Sequence, residues 1–421
     1  MDKQKWVGIF QAEWPLQCHT LNSAIVLAKS GFNIDLFLYD THIIDDFETL
    51  YQSSNINIYI FDEPYNGENY SGTQLLYRLR RKLFKQLNKF IEPYLYHSNN
   101  DNFIPYYVNK NVFKIAKSKQ YECLIGIEKL GLVWAAKLAN KINVPYVYHS
   151  LELHSNNHPY CNKSLHIKRL KKAEEKYHKS SYATIIQDED RADFLFKDNG
   201  IKSEEDKIIY LPVSLLGDAF PEKLTFLQEK FKIDKNQLII LQFGQASRFG
   251  IELTQISQKF PQEWTLAIHD GLLSNLWGDD TYIKKLQSID TKKRVIFSTD
   301  KLKSKQIKDL VASAHIGLVL YSNSCENDIL TVFASEKLAL YLQCGLPVIA
   351  FDYPGYEIIE QSKCGVLIKT IEDLPNAIKI ISNDFDKYRL NAYKTFIKYY
   401  QFEPNFEKVI KMIKNLSVSK R

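Results

Sequence analysis

The chain has 421 residues, enough for two domains that each bury a core of their own. Its 45% hydrophobic and 25% charged residues are ordinary for a soluble globular protein, and a formal net charge of +6 is too small to indicate nucleic acid as a partner. The six cysteines are scattered without a Cys-x-x-Cys pair, which argues against a zinc site or a disulfide framework and favours a reducing cytoplasm. The apolar run at the N-terminus is too short for a signal peptide, and no other run approaches the roughly 20 residues of a membrane span.

The first half of the chain alternates short apolar runs with segments of helical period. The predicted strands are 6–10, 34–39, 123–126, 145–149, 183–187 and 208–211, and the predicted helices are 18–30, 130–141, 164–180 and 188–196. Strand–helix–strand spacing of this kind implies right-handed βαβ units and a parallel sheet. Pro212 follows the last strand, and we expect a linker to open there.

A basic segment runs from Gln74 to Glu92, where leucines at helical spacing are flanked by basic side chains. These are Arg78, Arg80, Arg81, Lys82, Lys85 and Lys89. A basic amphipathic helix can lie on anionic lipid, and each basic residue near the surface contributes about 1 kcal/mol. The alternative is a helix that buries its leucines in the core and leaves a solvated basic face. The first interpretation predicts a cytoplasmic protein that contacts the inner face of a membrane peripherally.

The second half repeats the alternation after a helical connector at 222–232. The predicted strands are 238–243, 265–269, 295–297, 316–321 and 347–351, the predicted helices are 307–314 and 335–343, and only helices are expected from Leu374 onward. The first strand runs into the turn Gly244–Gly250, which lacks the glycine pattern of a phosphate loop. The segment Asn323–Thr331 is polar, and we expect it to be irregular.

The stretch from Ala334 to Cys364 places a helix start, a buried strand and a glycine turn close together in sequence. Ser335 is a candidate N-cap for the helix that ends at Gln343, and Gly345 stands just beyond it, where a left-handed backbone is cheap for glycine. When a helix N-terminus and the end of a parallel strand meet, backbone N–H groups converge and can receive an anion. The sequence therefore predicts an anion site in this half of the chain.

This stretch resembles the donor-binding core of GT-B glycosyltransferases, especially those of a family-4-like bacterial group. The residues that match are Cys344 to Ile349, Gly355 and Glu357. The family's second motif glutamate, which binds the donor ribose, falls at Leu340 in this sequence. Some bacterial branches lack that glutamate and begin the helix with Ser-x-Lys-Leu, as Ser335 to Leu338 do here. The nearest carboxylate on the same helix face is that of Glu336, one turn earlier.

The resemblance implies an α/β protein of GT-B architecture, with two Rossmann-like doubly wound domains facing a cleft. We expect an acceptor-side domain at 1–213, a nucleotide-sugar-binding domain at 214–402, and a terminal helix at 403–421 that crosses back to the first domain. The donor-binding residues that it implies are Gly244, Gln245, Ser247, Arg248, His269, Ser298, Glu326, Asp328, Ser335, Glu336 and Lys337. Arg248 would contact the donor diphosphate, and Lys337 would supply a second cation because Gln245 stands where the family often has arginine. Glu326 and Asp328 are alternative candidates for the first motif glutamate.

On the acceptor side, the segment 148–155 resembles the Tyr-Asp-Ser-His-Glu-Leu stretch of many family-4-like enzymes, with His149 in place of the aspartate. Glu152 matches the family's glutamate and is the best acidic candidate on this side, although a structural, capping carboxylate remains an open alternative. The loop 11–19 contains no glycine, unlike the loop that often faces the donor phosphates in GT-B enzymes. His19, at its end, either faces the cleft or has a capping or packing role.

The function that the resemblance implies is a hexosyltransferase-type reaction of bacterial polysaccharide biosynthesis. A sugar would pass from a nucleotide-diphosphate donor to a hydroxyl of a glycan, a lipid-linked or a small-molecule acceptor, with no further cofactor. We expect Arg248, Lys337 and backbone N–H groups to stabilise the leaving group without a metal, and Glu152 to complete the catalytic set. Retention at the anomeric carbon follows from the resemblance alone. A nucleotide-sugar epimerase, or a non-catalytic partner with a degenerate donor site, remains as an alternative.

Overall fold

Two parallel β-sheets organise the chain. The computed structural model describes residues 4–12, 16–39, 53–61, 91–155, 158, 164–244, 246–271 and 281–419. The chain divides into two units, one formed by residues 1–211 together with 406–421 and the other by residues 212–405. Each unit contains one of the sheets. The predicted α/β architecture with a parallel sheet in each half is therefore confirmed.

The first unit is built on seven strands. They are β1 (Trp6–Gln11), β2 (Asn33–Tyr39), β3 (Ile56–Phe61), β4 (Tyr121–Ile127), β5 (Tyr146–His149), β6 (Ala183–Ile186) and β7 (Ile208–Tyr210). Their order in the sheet is β3-β2-β1-β4-β5-β6-β7, and all neighbours run parallel. All the carboxyl ends therefore lie at one edge, and the strand order reverses between β1 and β4. The helices between these strands are α1 (Cys18–Lys29), α2 (Tyr106–Ala116), α3 (Glu128–Ile142), α4 (Leu165–His178) and α5 (Glu189–Asp198), with a further helical segment at 91–97.

The second unit is built on six strands. They are β8 (Leu238–Phe243), β9 (Trp264–His269), β10 (Val295–Ser298), β11 (Ile316–Val319), β12 (Val348–Phe351) and β13 (Gly365–Ile368). Their order is β10-β9-β8-β11-β12-β13, again with parallel neighbours, and it reverses between β8 and β11. The helices up to β13 are α6 (Phe226–Phe231), α7 (Ala246–Ser257), α8 (Thr281–Ile289), α9 (Ser304–Ala312), α10 (Glu326–Ile329), α11 (Glu336–Gln343) and α12 (Glu357–Gln361).

The core of the second unit lies on both faces of its sheet. Leu241 and Val348 belong to one buried cluster, whereas their neighbours Ile240 and Ile349 belong to the cluster on the other face. Successive side chains of a strand point to opposite faces, so a strand that is covered on both sides is apolar throughout. This explains why the strands of this unit read as continuous apolar runs.

The chain after β13 is helical, as predicted. The helices are α13 (Leu374–Asn383), α14 (Phe385–Thr395) and α15 (Phe402–Ser419), with a π-helical turn at Phe396–Tyr400. Among the helices of the described ranges, none combines the length and apolarity that a membrane span requires. Most of the basic segment Gln74–Glu92 lies outside the described residues, so its conformation stays a prediction.

Several local features differ from the sequence predictions. Helices α2 and α8 were not predicted, and α7 begins at Ala246, inside the predicted turn Gly244–Gly250. Strand β3 was not predicted because it is a sheet edge with mostly half-exposed side chains, and its Asn57 bonds to Asp35 at 2.8 Å. Strand β13 was not predicted because it begins at Gly365, and glycine is uncommon in strands. The structure requires glycine there, since a Cβ would lie 2.1 Å from the carbonyl oxygen of Val348. The segment Asn323–Thr331 is not wholly irregular, since it contains the one-turn helix α10.

Candidate functional site

The reversal of strand order between β8 and β11 marks the place where open parallel sheets bind ligands, just beyond the carboxyl ends of the strands. Beyond β8, Gly244 has φ +73°, a left-handed conformation that suits glycine, and its N–H donates to the carbonyl of His269 at 2.8 Å. This turn leads directly into α7, which begins at Ala246. Gln245 and the side chain of Ser247, both predicted donor contacts, lie outside the described part of the chain.

Arg248 and Asp328 meet at this reversal point. Arg248, in the first turn of α7, donates from Nη1 to Oδ2 of Asp328 at 3.0 Å, and 34% of its side chain is exposed. Asp328 is buried in α10, and the same oxygen accepts from the hydroxyls of Ser322 at 2.5 Å and Ser324 at 3.3 Å. The carboxylate is therefore held in place, whereas the guanidinium keeps an exposed face. Glu326, the alternative candidate for the same motif position, is exposed.

Lys337 lies in the same neighbourhood. Its Nζ stands 4.7 Å from the centre of the Tyr321 ring. Desolvation, together with the positive charge of Arg248, lowers the pKa of Lys337 from 10.5 to about 7. Arg248, Asp328, Tyr321 and Lys337 are called the Arg248 cluster below. The amino group of Lys337 therefore loses its proton near neutral pH. An anion bound at the Arg248 cluster would favour the protonated, positively charged form of this amino group.

Helix α11 presents its N-terminus to this cluster. The hydroxyl of Ser335 accepts from the N–H of Leu338 at 3.0 Å and is bonded to the hydroxyl of Tyr321 at 2.8 Å, so the predicted N-cap is confirmed. Glu336 is the first residue of the helix and is exposed. Leu340, at the family's glutamate position, packs against the core and offers no hydrogen-bonding group.

The ends of β9 and β10 are joined by buried polar contacts. His269 stacks on Phe243 with ring centres 5.4 Å apart, and its Nδ1 lies 2.9 Å from the hydroxyl of Ser298. Burial lowers the pKa of His269 to about 4, so the ring is neutral at pH 7. Asp270, which the sequence reasoning left out of the site, accepts the N–H of Ala246 at 2.8 Å and thereby fixes the start of α7. The sequence His269-Asp270-Gly271 at a strand end was the available signal.

A cavity of about 570 Å³ lies between α6 and the loop after β10. It is lined by Phe226, Glu229, Lys230, Asp300, Lys301, Leu302 and Gln306. Lys230 is paired with Asp300 at its rim. The cavity thus combines an aromatic ring, an aliphatic side chain and polar groups, a mixture that is common in small-molecule sites.

In the first unit, the predicted acceptor-side histidines lie against each other. Nδ1 of His19 is 3.3 Å from Nε2 of His149, and both side chains are buried. Burial lowers the pKa of His19 to about 3, and burial together with the His19 ring holds the pKa of His149 well below its usual value. The two rings are therefore a neutral pair at physiological pH. Packing, the second of the two roles weighed for His19, matches this arrangement.

Glu152 is partly exposed, and its backbone is bonded by two side chains that sequence reasoning missed. Its N–H donates to Glu128 at 2.9 Å, and its carbonyl accepts from Lys129 at 3.2 Å. Glu128 and Lys129 begin α3, at the end of β4, and both are buried. Their charge in an otherwise apolar strand–helix junction was the only signal in the sequence. In the described part of the chain, no group of three or more His, Cys, Asp or Glu side chains is placed to hold a metal ion.

Comparison with known proteins gives a match to one family model and a fold. Residues 258–399 match the family model described as "Glucosyltransferase 3-like, C-terminal domain". No curated protein sequence matches the chain. Among solved structures, HepE from Anabaena in complex with UDP-glucose is similar over 98% of this chain and 99% of its own, with 15% identity and a TM-score of 0.64.

Two further structures give the same result. A glycosyltransferase from Rickettsia africae is similar over 99% of each chain, with 14% identity and a TM-score of 0.65. Sucrose-phosphate synthase from Thermosynechococcus elongatus is similar over 99% of this chain and 100% of its own, with 15% identity and a TM-score of 0.65. The chain therefore has the GT-B fold, and its residues 258–399 are similar to the glucosyltransferase 3-like C-terminal domain.

Proposed function

We propose that this protein transfers a sugar from a nucleotide-diphosphate donor, of which UDP-glucose is the first candidate, to a hydroxyl acceptor. The Arg248 cluster carries the proposal, because it sets two cations beside a helix N-terminus where open parallel sheets bind ligands. The family match of residues 258–399 and the UDP-glucose in the similar structure of HepE support the donor class.

Charge development in the reaction fits these groups. When the bond between the anomeric carbon and the phosphate oxygen breaks, negative charge grows on the leaving diphosphate. Arg248 would bind that diphosphate through charge-assisted hydrogen bonds, and Lys337 would be protonated by its approach. The N-terminus of α11 adds the partial positive charge of its dipole. We propose that these groups suffice without a metal ion and that the transfer retains the anomeric configuration.

Other parts of the donor would contact neighbouring residues. We assign the nucleobase to the cavity between Phe226 and Leu302, where an aromatic ring and an aliphatic side chain can cover the faces of a flat base. We assign the ribose to the vicinity of Glu336, because Leu340 cannot accept a hydrogen bond. Gly244, His269 and Ser298 would then line the turn side of the site, with Asp328 near the sugar.

On the acceptor side we propose Glu152 as the acidic group that faces the acceptor hydroxyl, with the His19–His149 pair packed nearby. Glu152 is partly exposed at the carboxyl edge of the first sheet, where a ligand is expected. The acceptor would be a glycan or a lipid-linked hydroxyl. For the second case we propose that the basic segment Gln74–Glu92 contacts anionic lipid on the cytoplasmic side.

The donor assignment is tested by ligand-dependent thermal unfolding and calorimetry with UDP and UDP-glucose. A ligand at 100 times its Kd should stabilise the protein by about 2.7 kcal/mol, through mass action alone. UDP release from UDP-glucose, with and without bacterial glycans and lipids, then measures turnover. If millimolar UDP and UDP-glucose leave the unfolding temperature unchanged, UDP-glucose is not the donor; if GDP and ADP do so as well, the proposal of a nucleotide-diphosphate donor is wrong.

A non-catalytic protein that binds nucleotide is the second candidate, and the apolar Leu340 at the motif position favours it. It predicts that UDP binds while no UDP is released from UDP-glucose under any acceptor condition.

The membrane contact has a separate test. Vesicles that contain acidic lipid should sediment the protein at low salt, and this binding should fade as the salt concentration rises. Neutral vesicles are the control. Equal binding to both kinds of vesicle, or to neither, contradicts a contact through the basic segment.

A further inference from the structure

The segment 150–152 follows β5 without regular secondary structure, yet side chains from other elements hold its backbone. The carbonyl of Ser150 accepts from Nε2 of Gln187 at 2.7 Å, and the carbonyl of Leu151 accepts from Nη2 of Arg191 at 2.6 Å. Nε of Arg191 also donates to Oε1 of Gln187 at 2.6 Å, which links the two side chains to each other. The side chains of Gln187 and Arg191 are both buried, so this support is shielded from water.

Glu128 completes this support from the other side. One oxygen of its carboxylate accepts the N–H of Leu151 at 2.6 Å and the N–H of Glu152 at 2.9 Å. Lys129 donates to the carbonyl of Glu152 at 3.2 Å, and its Nζ lies 3.9 Å from the other carboxylate oxygen of Glu128. Only 2% of Glu128 and 4% of Lys129 are exposed. These three backbone bonds therefore all go to the segment that carries Glu152.

The backbone of Glu128 is itself strained. Its φ is +61°, a left-handed conformation that residues with a Cβ avoid and that glycine adopts freely. Residues held in this way persist only where the surroundings determine them, and they cluster at functional sites. The position thus holds a glutamate although glycine would suit the backbone better. What glutamate provides there, and glycine cannot, is the carboxylate.

A purely local role does not explain these bonds. A residue that caps a helix bonds the N–H groups of its own first turn. The amides of Leu151 and Glu152, which donate to Glu128, instead belong to the loop after the neighbouring strand, 23 and 24 residues away. That loop lies at the carboxyl edge of the first sheet and carries the partly exposed Glu152.

We propose that Glu128 is a positioning residue that fixes the side chain of Glu152 for the transfer reaction. This inference rests on the proposed function. Glu128 does not touch the reacting atoms; it acts by accepting the backbone N–H groups of Leu151 and Glu152.

The test uses two substitutions and one matched control in the full-length protein. Glu128→Gly relieves the backbone strain and removes the carboxylate, whereas Glu128→Gln keeps an oxygen that can accept both amides. The control is Asn143→Gly, at the other end of α3, where an exposed residue also has a positive φ of +53°. Two quantities are measured: hydrogen exchange of peptides that cover 150–153, and UDP release from UDP-glucose with water as the acceptor.

We expect Glu128→Gly to exchange its 150–153 amides at least about tenfold faster and to lower kcat at least about tenfold, with the KM for UDP-glucose unchanged. Glu128→Gln should stay within about threefold of the wild type in both quantities, and Asn143→Gly should change neither. If the Gly variant does not fold, Glu128→Asp replaces it. Aspartate tolerates a positive φ but is one methylene shorter, so it should show the same two losses.

Faster exchange with an unchanged kcat would make Glu128 a structural residue only and would overturn the proposal. Unchanged exchange would overturn it as well, because the carboxylate would then not hold the loop. Failure of the proposed function looks different: the wild type would neither bind UDP in calorimetry nor release it from UDP-glucose. The exchange measurement would still report whether the loop is held.

Discussion

The carboxyl edges of the two sheets occupy equivalent topological positions, but the charged side chains at these edges differ in burial and in bonding. In the first unit, Arg191 and Glu128 are buried and bonded to a backbone segment of the protein itself. In the second unit, Arg248 is partly exposed, and the neighbouring Lys337 has a pKa near neutrality. The strand order decides where a site can form. Whether the charged side chains there bond to the chain's own backbone or stay available for a ligand depends on the polar groups of the neighbouring loops.

The largest effect that would test this comparison is expected for Arg248→Ala. Loss of a charge-assisted contact of about 1.5–3 kcal/mol should weaken UDP binding by about tenfold or more, measured by calorimetry. Lys284→Ala, an exposed cation on α8 of the same unit, is the matched control and should leave the affinity unchanged. If UDP binds both variants equally well, the Arg248 cluster is not the diphosphate site.

The second prediction concerns protons. In the free protein the pKa of Lys337 is about 7, and a bound diphosphate should raise it toward its usual 10.5. At pH 8 the amino group is mostly neutral when free and charged when bound, so UDP binding should take up to about one proton. The affinity for UDP should therefore fall as pH rises above 7, by up to about tenfold per pH unit.

Calorimetry in buffers of different ionisation enthalpy measures this uptake directly. Lys337→Met should abolish it.

The lowered pKa of Lys337 also makes the stability of the folded protein depend on pH. A lysine whose pKa is lowered on folding destabilises the native state below pH 7, and this cost is relieved as pH rises toward 10.5. Lys337→Met should therefore raise the unfolding temperature at pH 7 and bring no gain near pH 10.5. Proton uptake that persists in the variant would assign the shift to another group.

A smaller effect is expected for Ser335→Ala, which removes the cap of α11 and the bond to Tyr321. Loss of an N-cap costs about 1 kcal/mol, and this should lower the unfolding temperature by about 2–4 °C. Ser382→Ala is the control, because Ser382 only bonds back to Ile378 within its own helix and such bonds contribute little. Equal unfolding temperatures for the two variants would contradict the capping role.

The smallest effect is expected for Glu336→Gln. If Glu336 takes over the contact with the donor ribose, the Kd for UDP should rise severalfold, while the unfolding temperature stays nearly constant. If it only interacts with the helix dipole, a contribution of about 0.3–1 kcal/mol should be lost from stability and the Kd should hold. A Kd within error of the wild type therefore assigns Glu336 a structural role.

Much of the fold could be predicted because its signals are local. The cap at Ser335, the left-handed Gly345 and the apolar strands each depend on a few neighbouring residues. The site was less accessible because its contacts are distant in sequence. Arg248 and Asp328 are 80 residues apart, and no pattern announces that they form an ion pair. The strained φ of Glu128 is likewise invisible in a sequence, since it follows from the path of the strand–helix junction.

The ion pair between Arg248 and Asp328 also bears on how fast a ligand can leave. A diphosphate that reaches Arg248 must compete with a carboxylate that two serine hydroxyls already hold in place. When the diphosphate dissociates, the ion pair between Arg248 and Asp328 can re-form at once, so the guanidinium does not have to be solvated by water first. Where release of the nucleotide product limits turnover, a carboxylate that competes for Arg248 lowers the affinity for that product. It thereby shortens the residence time of the product and allows the next cycle to begin.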